Sequence, residues 1–327
     1  MTTTSTNMLP LDSGTGPILR RATGRLLPRA AQCLVAATAG ADPSGGRRFL
    51  EAASAHSIDL RTFWVSVDRK PVDDVPSVRQ AVLAVPGAGR TAVLFTSQPS
   101  EAGARAELAR VIERACEDLE QAVLAQVLLS PSEEGAAPSF DEAGFERVAR
   151  LAYLRRPTPM TGQFRAPAAD SWPDAVRVER GVETTDDEWL IALDRTYDGT
   201  LDCPRLCGLR DTADVLISHR AAGTHSSDLW WMIRVNGEPH GVMIFAPNTD
   251  QSSIELVYVG LSPRLRGCGL GDALMCEGLA ALASRPEASI SCAVDLENVP
   301  ARRLYERFGF VEFGRRLAMV RRLGGVR

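Results

Sequence analysis

Lysine is almost missing from this 327-residue chain. Lys70 is the single copy, and arginine supplies the rest of the 37 basic residues, which stand against 41 acidic ones for a net charge of −4. There is no basic stripe with interleaved aromatics, which argues against nucleic acid as a partner. A run of about eighteen apolar residues is also absent, so no membrane span is predicted. The opening MTTTSTNMLPLDSGTG lacks the basic and apolar segments of an export signal, and a cytoplasmic chain is expected. The cysteines (33, 116, 203, 207, 268, 276 and 292) are odd in number and scattered, mostly inside apolar runs, as suits reduced thiols. Cys203 and Cys207 have no second pair or histidine cluster beside them, so they read as structural and no metal is expected. His56, His219, His225 and His240 are at no recognisable spacing from a serine or cysteine, which leaves a hydrolase triad without support. His219 and His225 flank a predicted helix end, where they either edge an acceptor site or lie on the surface, and the surface reading is preferred.

The common phosphate signatures are missing too. No Gly-Lys-Ser/Thr completes a P-loop, and a dinucleotide fingerprint started at Gly267 or Gly269 puts Asp272 or Leu274 in its third glycine slot. What is present is IELVYVGLSPRLRGCGLGDALMCEGLAAL, residues 254–282. It begins as a strand, breaks at Ser262-Pro263, passes a glycine-rich turn and continues as a helix with Leu270, Ala273, Leu274 and Ala281 on one face. Glycines allow close approach of the backbone, and the first-turn amides of the helix have no internal partner, so this outline makes an anion site.

The turn reads R-x-x-G-x-G from Arg266 to Gly271, and downstream N-x-x-A-x-x-L-Y-x-x-x-G-F is complete as Asn298, Ala301, Leu304, Tyr305, Gly309 and Phe310. In these two linked motifs the chain resembles the GNAT superfamily of acetyl-CoA-dependent acyltransferases. The resemblance implies acetyl-CoA as co-substrate and transfer to a primary amine of a small molecule or peptide, by direct attack in a ternary complex. It places the pyrophosphate on the turn made by Arg266, Gly267, Cys268, Gly269, Leu270 and Gly271. Main-chain groups around Tyr258, Val259, Gly260 and Leu261 are expected to meet the pantetheine arm and the thioester oxygen, with Asn298 on that arm or capping its helix. Glu255 is the expected base and Tyr305 the acid that protonates the leaving thiolate. Cys268 sits in a variable slot and is given no chemical role.

The first half repeats this order: strand and helix over 18–40, a helix over 47–56, strands over 60–67, 78–85 and 90–96, a long amphipathic helix, and a strand over 123–129. FDEAGFERVAR from Phe140 lines up 165 positions later with YERFGFVEFGR from Tyr305, matching Asp141 with Glu306, Gly144 with Gly309, Phe145 with Phe310 and Arg150 with Arg315. The fold class expected is therefore α/β (α+β), two tandem GNAT folds, each a mixed, mainly antiparallel sheet flanked by helices. The boundaries read 1–156 for a degenerate GNAT-like domain, 157–172 for a Pro/Gly/Ala-rich linker and 173–327 for the catalytic domain. The first half has Glu101 where a pyrophosphate would lie and Phe140 in place of Tyr305, so it is expected to support its neighbour or to wall the acceptor pocket. Residues 130–139 of the first half read as a polar loop, and in the second half YDGTLDCPRLCGLR supplies the substrate candidates Tyr197, Asp198, Asp202 and Arg210, whose two aspartates would suit a cationic amine. A non-catalytic sensor or scaffold that binds acetyl-CoA is the alternative, and Glu255 together with Tyr305 argues against it. The acceptor's identity and the oligomeric state cannot be read from the sequence.

Overall fold

The structure, a computed structural model, describes residues 17–39, 42–69, 75–100, 102–168, 171–181 and 184–324. The N-terminal segment, Lys70 and Glu101 lie outside the described residues. In chain order the elements are β1 (Ile18–Arg21), α1 (Leu27–Ala39), α2 (Gly45–Ala55), β2 (Phe63–Val67), β3 (Val78–Gly87), β4 (Thr91–Thr96), α3 (Ala102–Glu117), β5 (Leu124–Leu129), α4 (Ala137–Glu142) and β6 (Glu146–Pro157). The second half continues with β7 (Val176–Arg180), α5 (Asp186–Tyr197), α6 (Thr212–Arg220), β8 (Trp230–Val235), β9 (Glu238–Asn248), β10 (Ser253–Leu261), α7 (Leu270–Leu282), β11 (Ser289–Asp295), α8 (Val299–Arg307) and β12 (Val311–Arg322). The tandem order is thus present, mixed and mainly antiparallel, and among the described residues the parallel pairs are β4–β5 and β10–β11.

Local sequence explains much of this. Asn236 and Gly237 both take positive φ (52° and 84°), the geometry of a type I′ turn, and so close the β8–β9 hairpin. Gly144 and Gly309 both have φ +77°, so the aligned glycines end α4 and α8 with the same left-handed step. Residues 130–139, expected as a polar loop, remain one only as far as Glu133; a 3-10 turn over Glu134–Ala136 then leads into α4 at Ala137. Pro138 suits a first helical turn, and the ring of Phe140 is fully buried against Phe145 at 5.0 Å, which draws the segment onto the core. Trp230 and Trp231 face opposite sides of β8 as neighbours on a strand must, yet both are buried because helices cover each face of the sheet.

All twelve strands form one sheet in the order β1-β2-β3-β4-β5-β12-β6-β11-β10-β9-β8-β7. The halves have exchanged their last strands. β6 pairs with β11 from Leu151↔Asp295 to Pro157↔Ser289, while β12 pairs with β5 from Leu317↔Leu129 to Arg322↔Leu124. The two exchanged strands also pair with each other. Leu317 and Met319 therefore complete the core under α3 and α4, and Ala152 and Leu154 complete the one under α7 and α8. A cut in the chain at 156/157 divides the sequence without dividing these cores. Arg156 belongs to β6, is 5% exposed and donates to the carbonyl of Phe308, so the last residue before the expected linker is anchored in the second half.

A second junction joins the β3–β4 turn to α6. Arg90 reaches the buried carboxylate of Asp214 at 2.6 Å, and Gly89 (φ +67°) lies so close that a Cβ there would stand 2.0 Å from the carbonyl oxygen of Asp214. Neither that backbone nor the left-handed conformation can yield cheaply. Gly89→Ala is expected to destabilise the protein by about 3 kcal/mol or more, read as a lowered melting temperature.

Candidate active site

The site begins with a defect in the sheet. β10 pairs with β11 only over Ser253–Glu255, and a bulge then interrupts its register with β9 between Leu256 and Tyr258. Beyond Glu255 the two strands diverge, so the β11-facing main-chain groups of Val257 to Leu261 have no strand partner. A notch of about 160 Å³ opens there. Tyr258, Val259, Gly260, Leu261, Arg266, Gly271, Asn298, Tyr305 and Asp202 all line it, together with Leu256, Val257, Leu274, Ala293, Val294, Ala301 and Leu304. Gly260 has no room for a side chain, since a Cβ would meet the ring of Tyr258 and Thr196 at 2.7–2.8 Å.

At the upper end of the notch the chain turns into α7. Gly267 and Gly269 adopt φ +78° and +77°, and Gly269 occupies the N-cap position without any side-chain hydrogen bond to the first helical turn. The Asp272 amide donates back to the Gly269 carbonyl at 3.2 Å, which leaves the amides of Leu270 and Gly271 for a ligand, with the positive end of a thirteen-residue helix behind them. Asp272, the one acid in that turn, is paired with Arg307 at 2.7 Å, which limits its opposition to an incoming anion. Leu270 points into the core, and Cys268 is exposed with its thiol 3.6 Å from the carbonyl of Arg266.

Arg266 itself is spent inside the protein. Its guanidinium donates at 2.8 Å to the carbonyls of Leu261, Gly199 and Thr196, which fixes the turn against the C-terminal end of α5. The sequence marks this arginine as part of the turn motif but gives no signal of these partners.

Asn298 caps α8 by accepting from the Ala301 amide at 3.3 Å, and that cap sets the helix on which Tyr305 sits. Tyr305 is 6% exposed and lines the notch, and no hydrogen bond to the described chain occupies its hydroxyl. Burial holds its pKa well above the ordinary phenol value, so the proton stays on oxygen across the physiological range. In the first half Phe140 stands in the equivalent place, fully buried and without a proton to give.

Glu255 is the last β10 residue paired to β11, at the foot of the divergence and on the opposite side of the strand from Ile254 and Leu256. Desolvation raises its pKa above the carboxylate norm, although the side chain remains exposed and solvent limits that rise. It lies next to the notch rather than among the residues that line it.

The substrate candidates divide. Tyr197 packs edge-on against Tyr258 at 5.8 Å, and burial raises its pKa. Asp202 enters the notch, where it accepts from the Asp295 amide at 3.0 Å; burial, the largest influence, raises its pKa. Asp198 is exposed at the end of α5, and Arg210 donates to Gly89 and Ser218 in the inter-half junction. The two aspartates therefore do not converge as a cation-binding pair. The preference for a surface position missed the burial of His219, which stacks on Tyr258 at 5.3 Å with its Nε2 buried and unpartnered. Burial lowers its pKa to about 4, so the ring is neutral beside the notch rather than a surface cation. Thr196 was also missed, and its hydroxyl meets that of Tyr258 at 2.8 Å. Only the fold brings α5 and α6 over β10, so neither residue carries a local signal.

Among the described residues no group of His, Cys, Asp and Glu could hold a metal ion, and no helix is long and apolar enough to cross a membrane.

Residues 193–310, which span the notch and its turn, match the model of the acetyltransferase (GNAT) family. The mycothiol acetyltransferase of Thermobispora bispora is 30% identical over 182 residues, which is 52% of this chain and 57% of that protein. The mycothiol acetyltransferase of Acidothermus cellulolyticus is 43% identical over 60 residues, 18% of each chain. The chain thus spans little more than half the length of the first relative and a fifth or less of the second. A solved GCN5-related N-acetyltransferase from Sphaerobacter thermophilus superposes on 95% of this chain and 97% of its own with a TM-score of 0.57 at 17% identity, a likeness of fold that runs through both halves.

Proposed function

Starting from a chain that carries a domain of the acetyltransferase (GNAT) family, we propose that it is an N-acetyltransferase that moves the acetyl group of acetyl-CoA to a primary amine by direct attack in a ternary complex. The observation that carries this reading is the divergence of β10 from β11 directly below a glycine turn and a free helix N-terminus. The turn supplies main-chain donors for a diphosphate, and the unpaired strand groups supply a ladder for an extended amide-bearing arm. A donor among them aimed at the thioester oxygen would stabilise the charge that develops there, an effect worth about 100- to 1,000-fold in rate. Glu255 takes a proton from the attacking amine, directly or through water, and Tyr305 returns one to the departing thiolate.

This division of labour suits the two environments. A carboxylate whose pKa desolvation has raised is, once ionised, a stronger base than usual, whereas a buried phenol stays protonated. We place the catalytic unit at 173–327 in sequence, with 1–156 as its degenerate repeat and 157–172 between them.

The test is release of coenzyme A thiol from acetyl-CoA in the presence of a panel of primary amines; the relatives' name is reason to include the amine precursor of mycothiol. Turnover with at least one amine is expected, and Tyr305→Phe, which keeps the ring, should lower kcat by about 100-fold while acetyl-CoA still binds. Tight binding of acetyl-CoA with no release from any amine would instead support a sensor.

A further inference from the structure

The exchange of β6 and β12 places a set of unpaired charges on one face of the sheet beside the notch. Glu255 pairs in register with Ser291, Ser291 with Arg155, Ala293 with Tyr153, and Leu151 with Arg316. Alternation along the strands puts Glu255, Arg155, Tyr153 and Arg316 on the face opposite α7 and α8. Within the described chain neither arginine has a carboxylate partner, and none of its basic groups pairs with Glu255. Their arginine neighbours differ: Arg150 is paired with Glu134 at 2.7 Å and Arg315 with Glu312 at 2.6 Å.

Aromatic rings hold the two guanidiniums that lack a carboxylate, and that of Arg316 also donates to the Arg315 carbonyl at 2.9 Å. Arg155 lies 4.3 Å over the ring of Phe313, Arg316 lies 5.6 Å from that of Tyr153, and the two rings meet edge to face at 6.2 Å. Phe313 sits at a bulge in β12 and is 52% exposed, an unusual setting for a phenylalanine in an interior strand. Arg155 leans onto this ring instead of crossing β11 to Glu255, so the opposite charges stay apart. The outcome is a carboxylate at the foot of the notch and, two to three strands away, a pair of guanidiniums on an aromatic wall. Successive strands are about 4.8 Å apart, which makes the distance from β10 to β6 roughly 10 Å along the sheet.

We propose that Arg155 and Arg316 recognise an anionic group, carboxylate or phosphate, carried by the acceptor, so that the acceptors are amines with an anion several bonds from the nitrogen. This rests on the transferase reading above and names its substrate class. Guanidinium forks match such oxyanions in shape as well as charge, and stacking on rings pre-orders them. Asp202 is committed to the Asp295 amide, so the notch offers no free acidic pair to favour a second positive charge on the acceptor. Because β6 belongs to the first half of the chain and β12 to the second, this wall of the acceptor site exists only through the strand exchange.

The test uses the full chain, acetyl-CoA and matched amines: ω-amino acids, aminoalkyl phosphates and the n-alkylamines of equal length. kcat/KM is expected to favour the anionic members by at least about 10-fold. That ratio should fall towards one, a loss of about 10-fold or more, in Arg155→Gln and Arg316→Gln, with partial recovery in the lysine variants. Calorimetric binding of the N-acetylated products provides a second readout that needs no turnover, and circular dichroism checks that each variant folds. If no amine is acetylated but the anionic products bind and lose affinity in both glutamine variants, the anion site stands and the transferase reading fails. If n-alkylamines turn over as well as the anionic amines and the variants keep the wild-type ratio, the anion site is overturned and the transferase reading stands.

Discussion

A chain shortened to residues 173–327 is expected not to fold, although it contains the glycine turn, the notch and every residue proposed to touch acetyl-CoA. Without β6, β11 loses its pairing from Leu151 to Pro157, and β12 loses its neighbours on both sides, β6 and β5. Ala152 and Leu154 leave the core under α7 and α8, and Leu317 and Met319 lose the core they complete in the first half. Loss of one buried leucine side chain alone typically costs about 2–5 kcal/mol, against a total stability of about 5–15 kcal/mol for a whole domain. The bare edge of β11 and the two of β12 add a route to aggregation. The fragment should therefore be insoluble or lack cooperative unfolding, and production together with residues 1–172 should recover a soluble complex that binds acetyl-CoA. A fragment that melts cooperatively and binds acetyl-CoA unaided would show that the exchanged strands are dispensable.

Replacement of Glu255 by glutamine should lower kcat/KM by about 100- to 10,000-fold with little change in acetyl-CoA affinity, because the shape is kept and only the base is lost. The pH profile makes the prediction more specific. In the wild type the rate should fall as pH drops through the Glu255 pKa, which lies above the ordinary 4.5, since only the ionised carboxylate can take the proton. That acidic limb should be missing from the residual activity of Glu255→Gln. Tyr305 adds no such limb, because its raised pKa keeps it protonated on both sides of neutrality. An unchanged rate and profile in Glu255→Gln would move the base elsewhere, and His219, neutral at pH 7 and stacked on Tyr258, would be the next residue to test.

The parts of this molecule that the sequence reveals are those fixed by neighbours in the chain. Gly267 and Gly269 announce a left-handed turn ahead of a helix, Asn236-Gly237 a hairpin, and Asn298 a cap, because each acts within four residues of itself. The repeat is legible for the same reason: Gly144 and Gly309 end their helices with one and the same backbone step. What stays hidden depends on distant partners. Nothing local to Arg155 or Arg316 tells that their strands have changed places between the two halves of the sheet, and a strand's pattern of alternation is the same whichever half it joins. Arg266 offers a further example, since its three carbonyl partners include two from the end of α5, some seventy residues earlier. Asp198 and Asp202 look like a pair when read along the loop, but the fold gives one to solvent and the other to the Asp295 amide.

The central claim is that acetyl-CoA lies in the notch of the second half and is gripped by main-chain amides. Amide hydrogen exchange of the full chain with and without saturating acetyl-CoA tests it most directly. Slowed exchange is expected at residues 257–261 and 266–272, with residues 97–100 and 102–104 of the first half unaffected. Protection confined to the first half, or none at either turn while the ligand is bound, would contradict it.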